Sequence, residues 1–167
     1  MPEIKSIASL AGDVVGLLAR TGKSVSTAES CTGGWIAKAL TDVPGSSACF
    51  AYGVVSYSNG AKESLLGVHH QTLVVHGAVS EAVVKEMVEG AINLSGADVG
   101  VAVSGIAGPD GGSDDKPVGT VCFAWAIRAP SGIEINTARE QFTGDREHVR
   151  AQSVVYALSG IRERLGS

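Results

Sequence analysis

The segment AESCTGG at residues 28–34 carries side chains able to do chemistry directly after an apolar stretch. Its spacing places the Ser30 hydroxyl on a sharp strand-to-helix turn, where Gly33 and Gly34 let a ligand approach the backbone. The first N–H groups of a helix are unpaired and carry a partial positive charge, so they can hold a phosphate or a developing oxyanion. A simpler interpretation stays open, in which Ser30 or Thr32 only caps the helix.

A serine nucleophile needs a base, and the strongest candidate is Lys62 in YSNGAK at 57–62, again just after an apolar stretch. A lysine that burial deprives of water can lose its charge and serve as base to a serine. Tyr57 would then relay a proton or anchor the substrate. The alternative is an exposed helix lysine with Tyr57 in the core. The four histidines are less suitable, because three lie in a segment without periodicity and His148 lies in the first turn of the last helix.

The loop SGIAGPDGG at 104–112 contains neither a Walker A motif nor GxGxxG, yet successive N–H groups in such a loop can cradle a phosphate or ribose. A turn-shaping role is the simpler alternative. Its acidic residues and those just beyond it do not follow the order of calcium ligands in an EF-hand. Arg146 and Arg150 stand four apart and share one helix face, where they bind phosphate or, more commonly, pair with acidic neighbours.

Apolar periodicity predicts the elements that must position these groups. A predicted loop covers Gly67 to Val79, followed by a helix that Ser80 caps and Gly96 ends. Of the other predicted helices, the first ends at Gly22, the second opens at Thr32-Gly33-Gly34 and ends at Pro44-Gly45, and two more run over 59–66 and 146–165. The predicted strands are 23–28, 48–57, 98–104, 118–127 and 133–142, with 48–57 buried. Helices that alternate with buried strands, followed by a hairpin, predict a three-layer α/β/α sandwich with a mixed sheet. The turns at 29–34 and 105–116 directly follow strands, where ligands bind in such sheets.

Composition narrows the class of protein. The 167 residues suit one domain, and 44% hydrophobic with 18% charged residues argues against disorder. The net charge of -4 argues against nucleic-acid binding, and no apolar run is long enough to span a bilayer. Residues 1–5 show no secretion signal, and three cysteines without a CxxC pair suit reduced thiols in the cytoplasm. Cys31 has no neighbouring histidine to activate it, so we interpret it as structural.

Five collinear segments together resemble the CinA C-terminal domain family of competence/damage-inducible proteins, whose characterised members are nicotinamide-mononucleotide amidohydrolases. The segments are AESCTGG at 28–34, YSNGAKESLLGV at 57–68, HGAVSEAVVKEMVEGA at 76–91, SGIAGPDGGSDDKPVGTV at 104–121 and FTGDREHVR at 142–150. They extend over nearly the whole chain. The family pattern leads us to expect a larger residue at position 60, where this chain has glycine. Gly60 therefore loosens the start of the helix near Lys62.

The resemblance implies a single CinA C-terminal-like domain over residues 1–167 that deamidates nicotinamide mononucleotide to nicotinate mononucleotide and ammonia. It implies that Ser30 attacks the amide carbon, that Lys62 and Tyr57 manage the proton, and that amides near Thr32 to Gly34 stabilise the oxyanion. No metal and no cofactor are expected. Further substrate-binding candidates are Asn59, Ser104, Gly105, Ala107, Gly108, Lys116 and Arg146.

Many relatives also carry an N-terminal nucleotide-pyrophosphatase domain, for which these 167 residues leave no room, so we expect no pyrophosphatase activity. The expected partner is a small pyridine nucleotide, and small α/β enzymes often form symmetric assemblies, so a homo-oligomer is expected. A second hypothesis is a nucleotide-binding or regulatory module without catalysis. Ser30, Tyr57 and Lys62 together favour the enzyme, because a pure binding module needs no nucleophile and base.

Overall fold

The computed structural model describes residues 2–166, with side chains from Ile4 onward, so the two terminal residues of the expected 1–167 domain lie outside it. The helices are α1 (Pro2–Thr21), α2 (Trp35–Thr41), α3 (Asn59–Leu66), α4 (His70–His76), α5 (Glu81–Ser95) and α6 (Arg146–Gly166). The strands are β1 (Val25–Glu29), β2 (Phe50–Val55), β3 (Val99–Gly105), β4 (Thr120–Ala129) and β5 (Gly132–Gln141). A short 3₁₀ turn, Ser46–Ala48, leads into β2.

The five strands form one mixed sheet in the order β2-β1-β3-β4-β5. β1 runs parallel to both of its neighbours, and β3, β4 and β5 pair antiparallel. Side chains alternate between two cores: Phe123 and Trp125 of β4 face the core under α1, α2 and α6, whereas Cys122 and Ala124 face the core under α5. The predicted three-layer α/β/α sandwich with a mixed sheet is therefore confirmed.

The parallel strands determine where chemistry can occur. β1, β2 and β3 point the same way, so the segments that follow them meet at one edge of the sheet. These segments are the turn after Glu29, the residues after Val55 and the loop after Gly105. β1 is the central strand of the three and is buried along its whole length.

β2 departs from the prediction of a buried strand at residues 48–57. It is the edge strand of the sheet, bonded only to β1, and Tyr52 and Val55 are each 48% exposed. An apolar run has the same composition whether it lies inside a sheet or at its edge, so only the strand order decides its burial.

The segment from Gly67 to Val79 contains α4, so the prediction of an irregular loop is wrong there. The helix has seven residues and buries only Leu73, which is too short for an apolar period to be recognised. A long-range contact helps to place its start, because the His69 N–H donates to Glu86 Oε1 of α5 at 2.8 Å. His70 and His76 are therefore the first and last residues of α4.

Among residues 2–166, no helix combines the length and the apolar character needed to cross a membrane.

Candidate active site

A cavity of about 270 Å³ opens at the edge of the sheet where β1 and β3 end. It is lined by Ser30, Cys31, Tyr57, Asn59, Lys62, Ala78, Val79, Ser104, Gly105, Ile106, Ala107, Gly108, Asp110, Gly111 and Arg146. The chain therefore brings together the serine, the lysine and most of the substrate-binding candidates that the sequence predicts, from segments far apart along the chain.

Ser30 and Lys62 are in direct contact, with Lys62 Nζ 3.0 Å from Ser30 Oγ. Ser30 is held at the end of β1 because its N–H donates to the Val103 carbonyl of β3 at 2.9 Å. Lys62 lies in the first turn of α3, which Ser58 begins by accepting the Ala61 N–H at 3.0 Å. Both residues are buried at the cavity wall, Lys62 to 1% exposure.

The surroundings of Lys62 suit a neutral amine. Its Nζ also lies 2.9 Å from the Ser56 carbonyl oxygen and 3.1 Å from the Tyr57 carbonyl oxygen. Carbonyl oxygens only accept, so both take N–H groups of Lys62. In the ammonium form the third N–H donates to Ser30 Oγ, and in the neutral amine the lone pair is left to accept the Ser30 hydroxyl proton. Burial lowers the pKa of Lys62, and no carboxylate in the described part of the chain forms an ion pair with it.

Tyr57 reaches this pair through its backbone and not through its hydroxyl. Its carbonyl oxygen accepts from Lys62, whereas its hydroxyl accepts from Arg146 Nη2 at 3.0 Å. The ring is 57% exposed at the cavity mouth, so the alternative of a core tyrosine is wrong. The geometry fits a residue that anchors the substrate; the role of its hydroxyl in proton transfer stays a prediction.

The glycine-rich loop forms the opposite wall of the cavity. The N–H groups of Ala107, Gly108, Asp110 and Gly111 make no hydrogen bond to any residue from 2 to 166, so they remain available to a ligand. Arg146 of α6 holds this loop in place, because its Nη1 donates to the Gly108 carbonyl at 2.7 Å. Asp110 and Gly111 also line the cavity and are not among the predicted substrate-binding residues; their only signal in the sequence is their place in this loop.

Four substrate-binding candidates lie outside this cavity. Thr32, Gly33 and Gly34 line a separate surface depression together with Arg150. Lys116 lies near the loop, but its Nζ donates to the His76 carbonyl at 2.6 Å and does not line the cavity. Asn59, the first residue of α3, does line it.

α2 is capped by Glu29, which is not among the residues predicted from the sequence to have a role here. Glu29 Oε1 accepts the Ile36 N–H at 2.9 Å and Oε2 accepts the Ala37 N–H at 3.0 Å. The interpretation that Ser30 or Thr32 caps this helix is therefore wrong. Burial raises the pKa of the Glu29 carboxyl, against the hydrogen bonds that lower it. No local spacing signals this cap, because its carboxylate reaches seven and eight residues ahead along the chain.

The second helix therefore starts later than the sequence predicts. Gly33 and Gly34 have left-handed backbones, with φ of +60° and +95°, so α2 begins at Trp35. The helix was also predicted to extend to Pro44-Gly45, whereas it ends at Thr41.

Arg146 and Arg150 share one face of α6, as predicted, but the expectation of acidic partners is wrong. Both bind backbone carbonyls: Arg146 binds Gly108, and Arg150 binds Cys31 at 3.1 Å and Thr32 at 3.2 Å. One helix thus holds both the turn that carries Ser30 and the glycine-rich loop.

Cys31 lines the cavity beside Ser30 but is a poor nucleophile. Burial raises the pKa of its thiol to about 12, so the reactive thiolate is scarce at neutral pH. This agrees with its interpretation as a structural residue. Cys49 and Cys122 are likewise buried and unpaired. Within residues 2–166, no group of three or more His, Cys, Asp or Glu side chains is arranged to hold a metal ion.

A larger cavity of about 590 Å³ lies between α6 and the last two strands. Several of its polar groups are paired within the protein: the Tyr156 hydroxyl donates to Glu140 at 2.7 Å, and the Trp125 indole N–H donates to the Ala157 carbonyl at 3.0 Å. The serine–lysine contact lies in the smaller cavity, which is therefore the candidate active site.

Comparison with known proteins gives consistent matches along the chain. The model of the CinA C-terminal domain matches residues 7–165. The nicotinamide-nucleotide amidohydrolase PncC of Escherichia coli is 58% identical over 137 residues, covering 82% of this chain and 81% of that protein. The protein of the same name from Enterobacter agglomerans is 54% identical over 160 residues, covering 95% and 96%.

A solved structure agrees as well. The competence-damaged protein (CinA) superfamily protein from Klebsiella pneumoniae superposes with a TM-score of 0.90 at 46% identity, covering 96% of this chain and 98% of that one. The family match extends over all the segments that form the Ser30 cavity. The chain belongs to the CinA C-terminal domain family.

Proposed function

We propose that this chain is an amidohydrolase that deamidates nicotinamide mononucleotide to nicotinate mononucleotide and ammonia, with Ser30 as nucleophile and no metal. The observation that carries the proposal is the 3.0 Å contact between Ser30 Oγ and the buried Lys62 Nζ. The substrate follows from relatives at 54–58% identity that are named nicotinamide-nucleotide amidohydrolase.

The first half-reaction forms an ester on Ser30. Lys62 Nζ takes the hydroxyl proton while Ser30 Oγ attacks the carboxamide carbon, which gives a tetrahedral oxyanion. As the oxyanion collapses, the C–N bond breaks and Lys62 returns the proton to the leaving nitrogen. Ammonia departs, and the nicotinoyl group remains bonded to Ser30 Oγ.

The second half-reaction hydrolyses this ester. Lys62, again neutral, takes a proton from water, whose oxygen attacks the ester carbon. Collapse of the second tetrahedral oxyanion breaks the bond to Ser30 Oγ, and Lys62 returns the proton to the serine. Nicotinate mononucleotide leaves, and both side chains regain their initial state. One base thus serves both steps, and neither step needs a metal ion.

The remaining cavity groups suit a nucleotide. A phosphate can accept hydrogen bonds from the free N–H groups of the 107–111 loop and from Arg146, whose guanidinium lies at the cavity mouth. Asn59 and Ser104 add polar side chains for the ribose or the carboxamide. Lys116 is less well supported in this role, because its ammonium group is bound to His76.

The test is ammonia release from nicotinamide mononucleotide, with and without a chelator, by the wild type and by Ser30→Ala. We expect chelator-resistant release that falls by about 10³-fold or more in the variant, as when a serine nucleophile is removed elsewhere. Ser64→Ala is the matched control, since Ser64 is an exposed serine on α3 outside the cavity. Its rate should equal that of the wild type.

Other outcomes would count against the proposal. Folded wild-type protein that binds the nucleotide but releases no ammonia would favour the non-catalytic binding module. Full activity in Ser30→Ala would exclude Ser30 as the nucleophile, and loss of activity with the chelator would exclude a metal-independent reaction.

A further inference from the structure

Arg150 places a positive charge against the turn that carries the nucleophile. Its Nε lies 3.1 Å from the Cys31 carbonyl oxygen and its Nη2 lies 3.2 Å from the Thr32 carbonyl oxygen. No ion pair among residues 2–166 includes Arg150, so no carboxylate takes its charge away from the turn.

The contact between Arg150 and the turn depends on its neighbours. The Arg150 guanidinium also lies over the Trp35 ring, 5.8 Å from the centroid. A Cβ atom at Gly33 would lie 3.1 Å from Arg150 Nη2, which is tighter than ordinary contact, so the glycine leaves room for the guanidinium.

The backbone donors of this turn can be counted. The Ser30, Gly33 and Trp35 N–H groups donate to backbone carbonyls. The next two, at the start of α2, donate to the Glu29 carboxylate, and the Gly34 N–H also faces that carboxylate. Only the N–H groups of Cys31 and Thr32 make no hydrogen bond to another described residue, and the Cys31 N–H faces its own thiol. They directly follow the nucleophile, where an oxyanion forms during acyl transfer.

Arg150 acts on one of these donors through the peptide group itself. The Cys31 carbonyl and the Thr32 N–H belong to one trans peptide unit, whose C=O and N–H point in opposite directions. The guanidinium holds the carbonyl toward α6, so the N–H points away from α6. A cation on the carbonyl oxygen also withdraws electron density from the peptide, which makes the N–H a stronger donor.

We propose that Arg150 is a positioning residue for the amide hydrolysis, which orients and polarises the Cys31–Thr32 peptide so that the turn's free N–H groups stabilise the tetrahedral oxyanion. This inference rests on the proposed function. It separates the two arginines of α6: Arg146 lines the cavity and is available to the substrate, whereas Arg150 lies outside it and acts through the backbone.

The experiment compares kcat and KM for ammonia release from nicotinamide mononucleotide in the wild type, Arg150→Ala, Arg150→Lys and Arg162→Ala. Removing one oxyanion donor costs about 10²- to 10³-fold in kcat, so loss of a group behind the donors should cost about 10- to 100-fold in Arg150→Ala. The KM of Arg150→Ala should stay within about threefold of the wild-type value, since loss of an interaction made only in the transition state lowers kcat and kcat/KM together. The kcat of Arg150→Lys should lie between those of Arg150→Ala and the wild type, because one ammonium group cannot reproduce the planar fork of donors that a guanidinium presents.

Two further readouts distinguish positioning from general structural support. Methylguanidine added to Arg150→Ala should restore part of the lost kcat and should leave the wild type unchanged. Arg162→Ala is the matched control, because Arg162 lies on the same helix and pairs with Asp13 at the surface. Its kcat and KM should match those of the wild type.

An unchanged kcat in Arg150→Ala would overturn the inference, as would a rise in KM alone or a loss that methylguanidine does not restore. If Arg150→Ala fails to fold, Arg150→Lys decides: wild-type kcat in that variant would overturn the inference, and a lowered kcat at unchanged KM would support it. Absence of ammonia release from the wild type would instead refute the proposed function, so the two failures are distinguishable.

Discussion

At the scale of single residues, the candidate site depends on how one lysine is solvated. A lysine can take a proton from serine only when it is neutral, and Lys62 is buried against two carbonyl oxygens and a hydroxyl. Burial favours the neutral form because a charge loses its hydration there. The same burial affects stability: between the lowered pKa and the ordinary one, the unfolded chain binds more protons at Lys62, so its contribution to stability rises with pH.

This environment predicts a specific pH dependence. The rate of ammonia release should fall as the pH falls through the lowered pKa of Lys62, because the protonated lysine cannot act as a base. Lys62→Arg should lose activity at every pH, since arginine stays protonated. The measurement is kcat/KM for nicotinamide mononucleotide against pH, with Lys85→Arg, an exposed lysine of α5, as the control. A pH profile that Lys62→Arg leaves unchanged would contradict the role of Lys62.

At the scale of elements, the site depends on how closely α3 lies against α5. α3 carries Lys62, and the Leu66 carbonyl at its end approaches α5 so closely that a Cβ atom at Gly90 would lie 2.0 Å from that oxygen. Backbone atoms cannot yield as a flexible side chain can, so only glycine permits this crossing. The approach of two helices therefore fixes where Lys62 lies relative to Ser30.

This crossing can be tested with alanine. Gly90→Ala must push α3 away from α5, so it should destabilise the fold by about 1–3 kcal/mol, as overpacking does, and slow ammonia release by displacing Lys62. Gly12→Ala is the control, because no atom lies within 4 Å of the added Cβ. Alanine is the better helix former, so this substitution should raise the free energy of unfolding by up to about 1 kcal/mol. Thermal unfolding and initial rates measure both effects. A Tm for Gly90→Ala equal to that of the wild type would refute the packing argument.

At the scale of the whole molecule, the sheet has two edges with different character. The β2 edge, FAYGVV, contains no charge and no proline, which are the features that usually discourage strands from pairing between molecules. Tyr52 and Val55 of this edge are about half exposed. β5, at the other edge, carries three charged residues, Glu134, Arg139 and Glu140.

The assembly state stays a prediction, and the β2 edge indicates how to test it. We expect a homo-oligomer, because two copies of one apolar edge can satisfy each other's backbone groups around a twofold axis. Light scattering after size exclusion should give at least twice the 17.0 kDa chain mass. Tyr52→Lys should reduce that mass, whereas Leu94→Lys, at an exposed leucine of α5, should not. A wild-type monomer at micromolar concentration would refute the expectation.

Much of the site could be predicted because its parts follow parallel strands. Ser30 follows β1 and Ser104 is the next-to-last residue of β3, so apolar runs that end in polar or glycine-rich segments already indicated one shared edge. The cavity could not be predicted in full: Ala78 and Val79 line it from the segment that was expected to be an irregular loop. Nothing in their spacing distinguishes them from other small apolar residues on the surface.

The amino-acid sequence by itself determined the layers and the mixed sheet, because apolar period and turn residues act over a few neighbouring positions. Its resemblance to the CinA C-terminal domain family singled out Ser30 and Lys62. Only the tertiary structure decided which groups satisfy the backbone of the turn that carries Ser30. Glu29 takes the N–H groups of α2 and Arg150, more than a hundred residues away along the chain, takes the carbonyls of the turn. Such partners depend on how distant elements pack, and buried backbone groups bind whichever donor or acceptor the packing brings to them.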